Sequence, residues 1–243
     1  MNRASDLYWL TQGAGDVPRG NDWLGGRELE KLEQLRFTKR RADWRLGRWT
    51  AKRAVCAFLS LGKVHEVGVV RAVGAKPSEV EIIAAADGAP ELFVGGVTSS
   101  ATVSISHSHG TGFCALSPEG LEVGCDVEAI EPRADSFAAD YFTPSEIRMI
   151  EKASGQDRVS LTTLVWSAKE SALKALRTGL DRDTRSVEVS GVEVIEAGAN
   201  GWNRLIVDCD GGENQFFGWW RGEGKLLFTI ACGALTNAPE LLS

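Results

Sequence analysis

The spacing of apolar residues along this chain switches from helical to alternating, and it does so twice. Between residues 28 and 61, Trp44, Ala51, Val55 and Phe58 recur at helical intervals, which predicts one helix. Alternating runs follow at Glu79–Ala85, Thr102–His107 and Gly112–Leu116, separated by turns such as Asp87-Gly88-Ala89-Pro90 and Pro118-Glu119-Gly120. A strand over Leu121–Val127 then leads into a second helical zone. There Thr143-Pro144-Ser145-Glu146 spells a capping box with proline at the first helical position, and Phe142 and Ile147 can form its staple. Leu161, Val165, Ala168, Ala172 and Leu176 hold one face of a helix that Gly179 ends. The remainder is β-rich: Val187–Ile195, Trp202–Cys209, Gln215–Arg221 and Leu226–Gly233, the last two joined as a hairpin by Gly222-Glu223-Gly224. This order predicts an α+β fold in two halves, residues 1–118 and 119–243. Both halves run from helix to strands, although no sequence repeat is evident. At 243 residues, 43% of them hydrophobic and 25% charged, collagen-like, disordered and coiled-coil chains are excluded.

The five cysteines are far apart, odd in number and without a C-x-x-C pair, so neither a disulfide framework nor a zinc site is expected. The apolar run Leu7–Leu10 is too short for a signal-peptide core, and no stretch approaches the ~20 apolar residues of a membrane span. Reduced, buried thiols in a cytoplasmic protein without membrane attachment are the expectation.

The net charge of −6 hides a strong asymmetry. From Arg36 to Arg53 there are eight basic residues and one acid, a net of +7, which leaves −13 for the rest. Such a stretch attracts phosphates, nucleic acid or an acidic protein, or it is a solvated helix face. In Val123-Gly124-Cys125-Asp126-Val127-Glu128, the two carboxylates stand two apart and share one side of a strand. Paired hard oxygens favour Mg²⁺, which shares substrate phosphates; an exposed strand face is the plainer alternative. In Trp166-Ser167-Ala168-Lys169-Glu170-Ser171-Ala172-Leu173-Lys174, Glu170 and Lys174 are four apart, as in an ordinary helix ion pair. Ser104-Ile105-Ser106-His107-Ser108-His109-Gly110 ends a strand. Adjacent residues there face opposite sides, so Ser106 and His107 do not form a nucleophile–base pair; a phosphate contact beside a glycine turn suits them better.

Taken together, these segments resemble the paired signature of the 4′-phosphopantetheinyl transferases, G-[I/V]-D-x-E followed by W-[S/T/C]-x-K-E-[A/S]-x-x-K. Phe142-Thr-Pro-Ser-Glu146 resembles the family's intervening F-x-x-x-E. Ser104-Ile-Ser106-His107-Ser108 resembles its S-x-S-H-S, and Gly88-Ala89-Pro90 sits where many members have G-K-P. The basic helix with Leu46-Gly47-Arg48 resembles the N-terminal motif. Cys125 replaces the usual aliphatic residue, and Ala89 the common lysine. The length is similar to that of the monomeric, surfactin-type branch. The resemblance therefore implies two pseudo-symmetric α+β halves with the active site at their interface.

It also implies a reaction: the 4′-phosphopantetheine arm of coenzyme A moves to a serine of an apo acyl or peptidyl carrier protein, and 3′,5′-ADP leaves. By the same resemblance, Asp126, Glu128 and Glu170 hold Mg²⁺, Glu170 takes the serine proton and Lys174 contacts the pyrophosphate. Ser106 and His107 bind phosphates, and Gly88, Ala89 and Pro90 lie near adenine. Arg40, Arg41, Arg48 and Lys52 are the candidates for the 3′-phosphate of coenzyme A. Glu146 supports the site or simply caps its helix. The competing readings are a non-catalytic module whose basic helix binds nucleic acid or an acidic partner, and a degenerate transferase that binds coenzyme A without turnover. The transferase reading expects no nucleic acid, no membrane and a single chain as the active unit.

Overall fold

The computed structural model describes residues 6–62, 74–118, 120–134, 136–193 and 201–243. Of the sequence expectations, Glu119 in its turn and Ile195 at the end of its strand lie outside the described residues. The chain folds into two compact α+β units, Ser5–Leu121 with Pro239–Ser243, and Glu122–Ala238.

The first unit contains β1 (Tyr8–Gly13), α1 (Gly26–Gln34), α2 (Thr38–Ser60), β2 (Val80–Ala84), β3 (Pro90–Val94), β4 (Val97–Thr98), β5 (Thr102–Ser108) and β6 (Thr111–Ser117). The second contains β7 (Val123–Ala129), α3 (Phe137–Tyr141), α4 (Pro144–Glu151), α5 (Gly155–Ala175), β8 (Val187–Val192), β9 (Asn203–Cys209), β10 (Asn214–Glu223) and β11 (Leu226–Cys232). The tail forms β12 (Glu240–Leu241), which pairs parallel to β1 and so folds with the first unit.

In the second unit one antiparallel sheet runs β7-β11-β10-β9-β8. In the first, β12-β1-β6-β5 form one sheet and β2-β3-β4 another. The order of elements recurs: a strand (β1, β7), a short helix (α1, α4), a long helix (α2, α5), then antiparallel strands that return beside the first. Each long helix lays its apolar face on its own unit's strands. Ala51, Val55 and Phe58 of α2 pack with Tyr8, Val103 and Leu116. Val165, Ala168 and Ala172 of α5 pack with Val189, Leu205 and Leu227.

The predicted helix over 28–61 is interrupted. Leu35 and Phe37 are extended, and the guanidinium of Arg41 donates to the carbonyls of Leu32 (2.8 Å) and Leu35 (3.1 Å), closing the end of α1. Helical periodicity continues through such a break, because it registers faces rather than chain direction. The capping box at Thr143 forms as expected: its hydroxyl accepts from the Glu146 N–H at 3.3 Å, and Glu146 accepts from the Thr143 N–H at 2.8 Å.

Two glycines set how closely the long helices lie on their sheets. A Cβ on Gly124 of β7 would collide with the Ser171 carbonyl oxygen and lie 2.6 Å from the Ala175 nitrogen of α5. A Cβ on Gly112 of β6 would collide with the Thr50 hydroxyl and lie 3.1 Å from Leu46 Cγ of α2. No described helix is long and apolar enough to cross a membrane.

Candidate active site

The acidic constellation is built where α5 lies across β7. Strand alternation puts Asp126 and Glu128 on the same side of β7. Helical spacing puts Ser167, Glu170, Ser171 and Lys174 on one side of α5. Without a side chain at Gly124, these two faces meet.

Asp126 is buried, and both of its oxygens are engaged. Ser167 donates to Oδ2 at 2.8 Å and Lys174 Nζ donates to Oδ1 at 2.8 Å. Lys174 also donates to the Cys125 carbonyl at 3.0 Å, whereas its contact with Glu170 is 3.7 Å. Its main carboxylate partner is therefore on the strand, not its helical neighbour four residues back. Burial alone would lower the Lys174 pKa, but Asp126 and Glu170 reverse this and raise it. Behind Ser167, Thr229 of β11 lies opposite Asp126 in the sheet register and within 2.8 Å of Ser167 and 2.7 Å of Ser171. Glu128 accepts from the Trp166 indole at 3.1 Å and pairs with Arg133 at 3.1 Å. Burial and the Asp126 charge raise its pKa, while Arg133 and Trp166 oppose them.

Glu170 shows most clearly what this arrangement costs. Burial and the charges of Asp126 and Glu128 push its carboxyl up to about 7, against the pull of Lys174. A carboxyl near neutrality can hold or release a proton at working pH. The three carboxylates are hard oxygen donors whose mutual repulsion a divalent cation would relieve, so their chemistry suits Mg²⁺. Among the described residues, no three His, Cys, Asp or Glu side chains converge as a metal-binding group. The donors that hold Asp126 and Glu128 are Lys174, Ser167, Arg133 and Trp166.

The basic segment is not one solvated face. Lys52 is fully buried: its ammonium pairs with Glu28 and donates to the carbonyls of Trp23 (2.9 Å) and Pro77 (3.0 Å). Arg41 closes α1, as above, and Arg45 donates to the carbonyls of Pro18 and Gly20. Arg40 is exposed on the first turn of α2. Arg48 lies over the Trp44 ring at 5.1 Å, its Nε is buried without a partner, and burial lowers its pKa against the pull of Glu28.

Gly47, beside Arg48, faces β5: a Cβ there would lie 3.0 Å from Ile105 Cγ2 and 3.8 Å from His107 Cδ2. Arg48 and the exposed His107 thus come from neighbouring backbone, with Ser106 buried next to it. Gly88, Ala89 and Pro90 lie elsewhere in the unit, at the turn joining β2 to β3, where the Ala89 N–H donates to Asp87 at 3.0 Å.

Residues 122–217 match the family model of the 4′-phosphopantetheinyl transferase superfamily. The stretch contains β7, α4 and α5, and with them the whole acidic constellation. A Synechocystis sp. protein, provisionally named a 4′-phosphopantetheinyl transferase, is 30% identical over 125 residues. That alignment covers 51% of this chain and 50% of the relative, so the chain spans about half the length of the curated relative it matches. Both matches are to phosphopantetheinyl transferases, and the family-model match falls on the acidic constellation.

Arg133 and Thr229 carry no sequence signal of their own, since each reaches the site from an element outside the two motif segments. Ser167 and Trp166 stand inside the W-S-A-K-E segment, but their partners Asp126 and Glu128 are visible only once α5 is docked.

Proposed function

We propose that this protein transfers the 4′-phosphopantetheine arm of coenzyme A to a serine of an apo acyl or peptidyl carrier protein. The observation that carries the reading is the meeting of Asp126 and Glu128 on β7 with Glu170 and Lys174 on α5, inside the segment that matches the superfamily. In the reaction, the carrier serine oxygen attacks the β-phosphorus of coenzyme A. The bond from that phosphorus to the bridging oxygen breaks, and 3′,5′-ADP departs with the bonding pair. Glu170 receives the serine proton, directly or through water. Lys174 supplies positive charge to the pyrophosphate while staying anchored on Asp126 and the Cys125 carbonyl. Asp126, Glu128 and Glu170 would hold Mg²⁺, which supplies charge neutralisation for the leaving pyrophosphate oxygens.

On the basic side, Arg48, His107 and Ser106 are the phosphate contacts, with Arg40 for the 3′-phosphate and Gly88–Pro90 for adenine. Arg41 and Lys52 are left out of that set, because their donors are taken up by backbone carbonyls and Glu28. The recurrence of strand, short helix, long helix and antiparallel strands in both units supports the duplicated, surfactin-type branch acting as a monomer. The carrier expected to dock is an acidic helical domain, matched to exposed cations such as Arg40.

Purified protein with Mg²⁺, coenzyme A and an apo carrier protein should add one phosphopantetheine arm to the carrier, read by intact mass. Glu170→Gln should lower turnover roughly 10²–10⁴-fold with the fold retained. Undiminished turnover in that variant would remove Glu170 as the base, and no mass gain with any apo carrier would remove the transferase reading.

A further inference from the structure

Glu128 is held from both sides by protein donors, and one of them is a cation that no motif accounts for. The Trp166 indole donates to Oε1 and the Arg133 guanidinium pairs with Oε2, each at 3.1 Å. Arg133 belongs to the connection that follows β7. Its guanidinium lies 4.9 Å from the centre of the Phe137 ring and 6.0 Å from that of Trp166. Both partners of the ion pair are mostly shielded, with side chains 22% and 23% exposed. The Arg133 Nε, however, is buried without a hydrogen-bond partner.

This arginine therefore occupies a carboxylate oxygen of the acidic constellation while one of its own donors goes unsatisfied, so its hold is incomplete. Lys174 differs: besides Asp126 it has the Cys125 carbonyl, and it keeps that anchor whatever happens to the carboxylate. A guanidinium on Oε2 takes one of its lone-pair sites and neutralises the charge that a metal ion would use, so the two cations compete there.

We propose that Arg133 is an internal counter-ion of Glu128 that a divalent cation displaces, so that cation binding frees residues 131–134 beyond the Ile130 N–H, which stays bonded to the Lys225 carbonyl. The inference rests on the proposed role of Asp126, Glu128 and Glu170 as metal ligands. It makes Arg133 a positioning residue: it keeps Glu128 seated on the Trp166 side before the cation arrives, and it couples cation binding to the connection after β7.

The test is a titration of the whole protein with Mn²⁺ alone, reading free Mn²⁺ by electron paramagnetic resonance. The wild type should bind, and Asp126→Ala should not. Arg133→Gln should bind Mn²⁺ roughly three- to tenfold more tightly, the range expected for removing a partly shielded ion pair. Arg133→Lys, which keeps the charge but not the planar fork, should tighten binding less. Arg148→Gln removes one charge from the exposed side of α4 without touching Glu128 and should change affinity by less than about twofold. In the wild type, amide exchange over 131–134 should speed up when Mg²⁺ is added, while that of Ile130 should not.

Equal or weaker Mn²⁺ binding by Arg133→Gln, or exchange that slows or stays constant, overturns the displacement while leaving the metal site standing. Binding that does not depend on Asp126 overturns the metal reading itself, and the displacement with it.

Discussion

The two units contain the same kind of buried device and set it beside different side chains. In the first, Lys52 of α2 pairs with Glu28, which also accepts from the Gly25 N–H at 3.0 Å and from the Ile82 N–H of β2 at 3.1 Å. In the second, Lys169 of α5 pairs with Glu146 at 2.7 Å, and Glu146 accepts from the Thr143 N–H at 2.8 Å and from the Val189 N–H of β8 at 2.8 Å. Each glutamate stands third in a short helix, each lysine lies on the long helix, and all four side chains are fully buried. Each lysine also donates to backbone carbonyls: Trp23 and Pro77 for Lys52, Val187 for Lys169. Burial lowers both lysine pKa values, and in each case the paired glutamate pushes back.

The neighbours of the two locks differ. After Lys169 comes Glu170 and, one turn on, Lys174, opposite the acids of β7. One turn before Lys52 comes Arg48, and after it Arg53, which lies 6.0 Å from the Trp49 ring. Each unit thus anchors its long helix with a buried Lys–Glu pair, while the side chains around the two pairs differ.

Breaking the locks should give the largest effect. Glu28→Gln and Glu146→Gln each leave a lysine buried without a counter-charge, a loss of about 3–5 kcal/mol. Denaturant titration should find the two losses similar; a large difference would break the equivalence of the devices. The converse experiment sharpens it: replacing both members of one pair by leucine or methionine should recover much of the loss, because the desolvation cost of both charges disappears.

The glycines that admit the helices come next. Gly124→Ala and Gly112→Ala should each cost roughly 1–3 kcal/mol through forced separation of helix from sheet. Gly124→Ala should be the worse, since its collision is with backbone of α5, whereas at Gly112 the nearest atoms are the side chains of Thr50 and Leu46. If the proposed reaction holds, Gly124→Ala should lower kcat by moving Glu170 away from Asp126, whereas Gly112→Ala should mainly raise the KM for coenzyme A by shifting α2 and Arg48 from His107; a kcat loss for Gly112→Ala as large as for Gly124→Ala would contradict this assignment.

The effect that is smallest near neutral pH is that of the buried thiols. Burial pushes Cys56 of the first unit and Cys209 of the second up to about 11, and Cys232 of the second up to about 12. Above pH 9 the unfolded thiols ionise while the folded ones keep their protons, so the folded state binds more protons and stability falls as pH rises. The fall should begin near pH 9 and level off above the folded values, at a limiting slope of about 1.4 kcal/mol per pH unit for each thiol. Cys56→Ala and Cys232→Ala should each flatten the stability curve over that window relative to the wild type, and thiol alkylation at pH 8 should require unfolding.

Much of the second unit was legible in the chain because its signals are local. The Thr143 capping box is complete within four residues, and the i, i+2 and i, i+4 spacings of Asp126–Glu128 and Glu170–Lys174 follow from one period each. The first unit was less legible. The strand β1 is short, and half of its residues are not fully buried, so it lacks a long alternating run. The break between α1 and α2 is closed by Arg41, a residue of the following helix that reaches back to Leu32 and Leu35. The basic run from Arg36 to Arg53 reads as an anion-attracting stretch or a solvated helix face, yet Arg41, Arg45 and Lys52 turn inward to carbonyls and to Glu28.

By itself, the sequence determined the alternation of helix and strand, the placing of two acids on one side of β7 and of Glu170 and Lys174 on one side of α5. These follow from backbone periods that every segment obeys regardless of its neighbours. Only the tertiary structure decided which cation meets which acid. Lys174 reaches past its helical neighbour to Asp126, Arg133 and Trp166 divide the two oxygens of Glu128, and Lys52 is taken out of solvent by a glutamate on another helix. Charge pairing in a folded chain depends on distance and on the loss of water, and both are set by how helix packs on sheet.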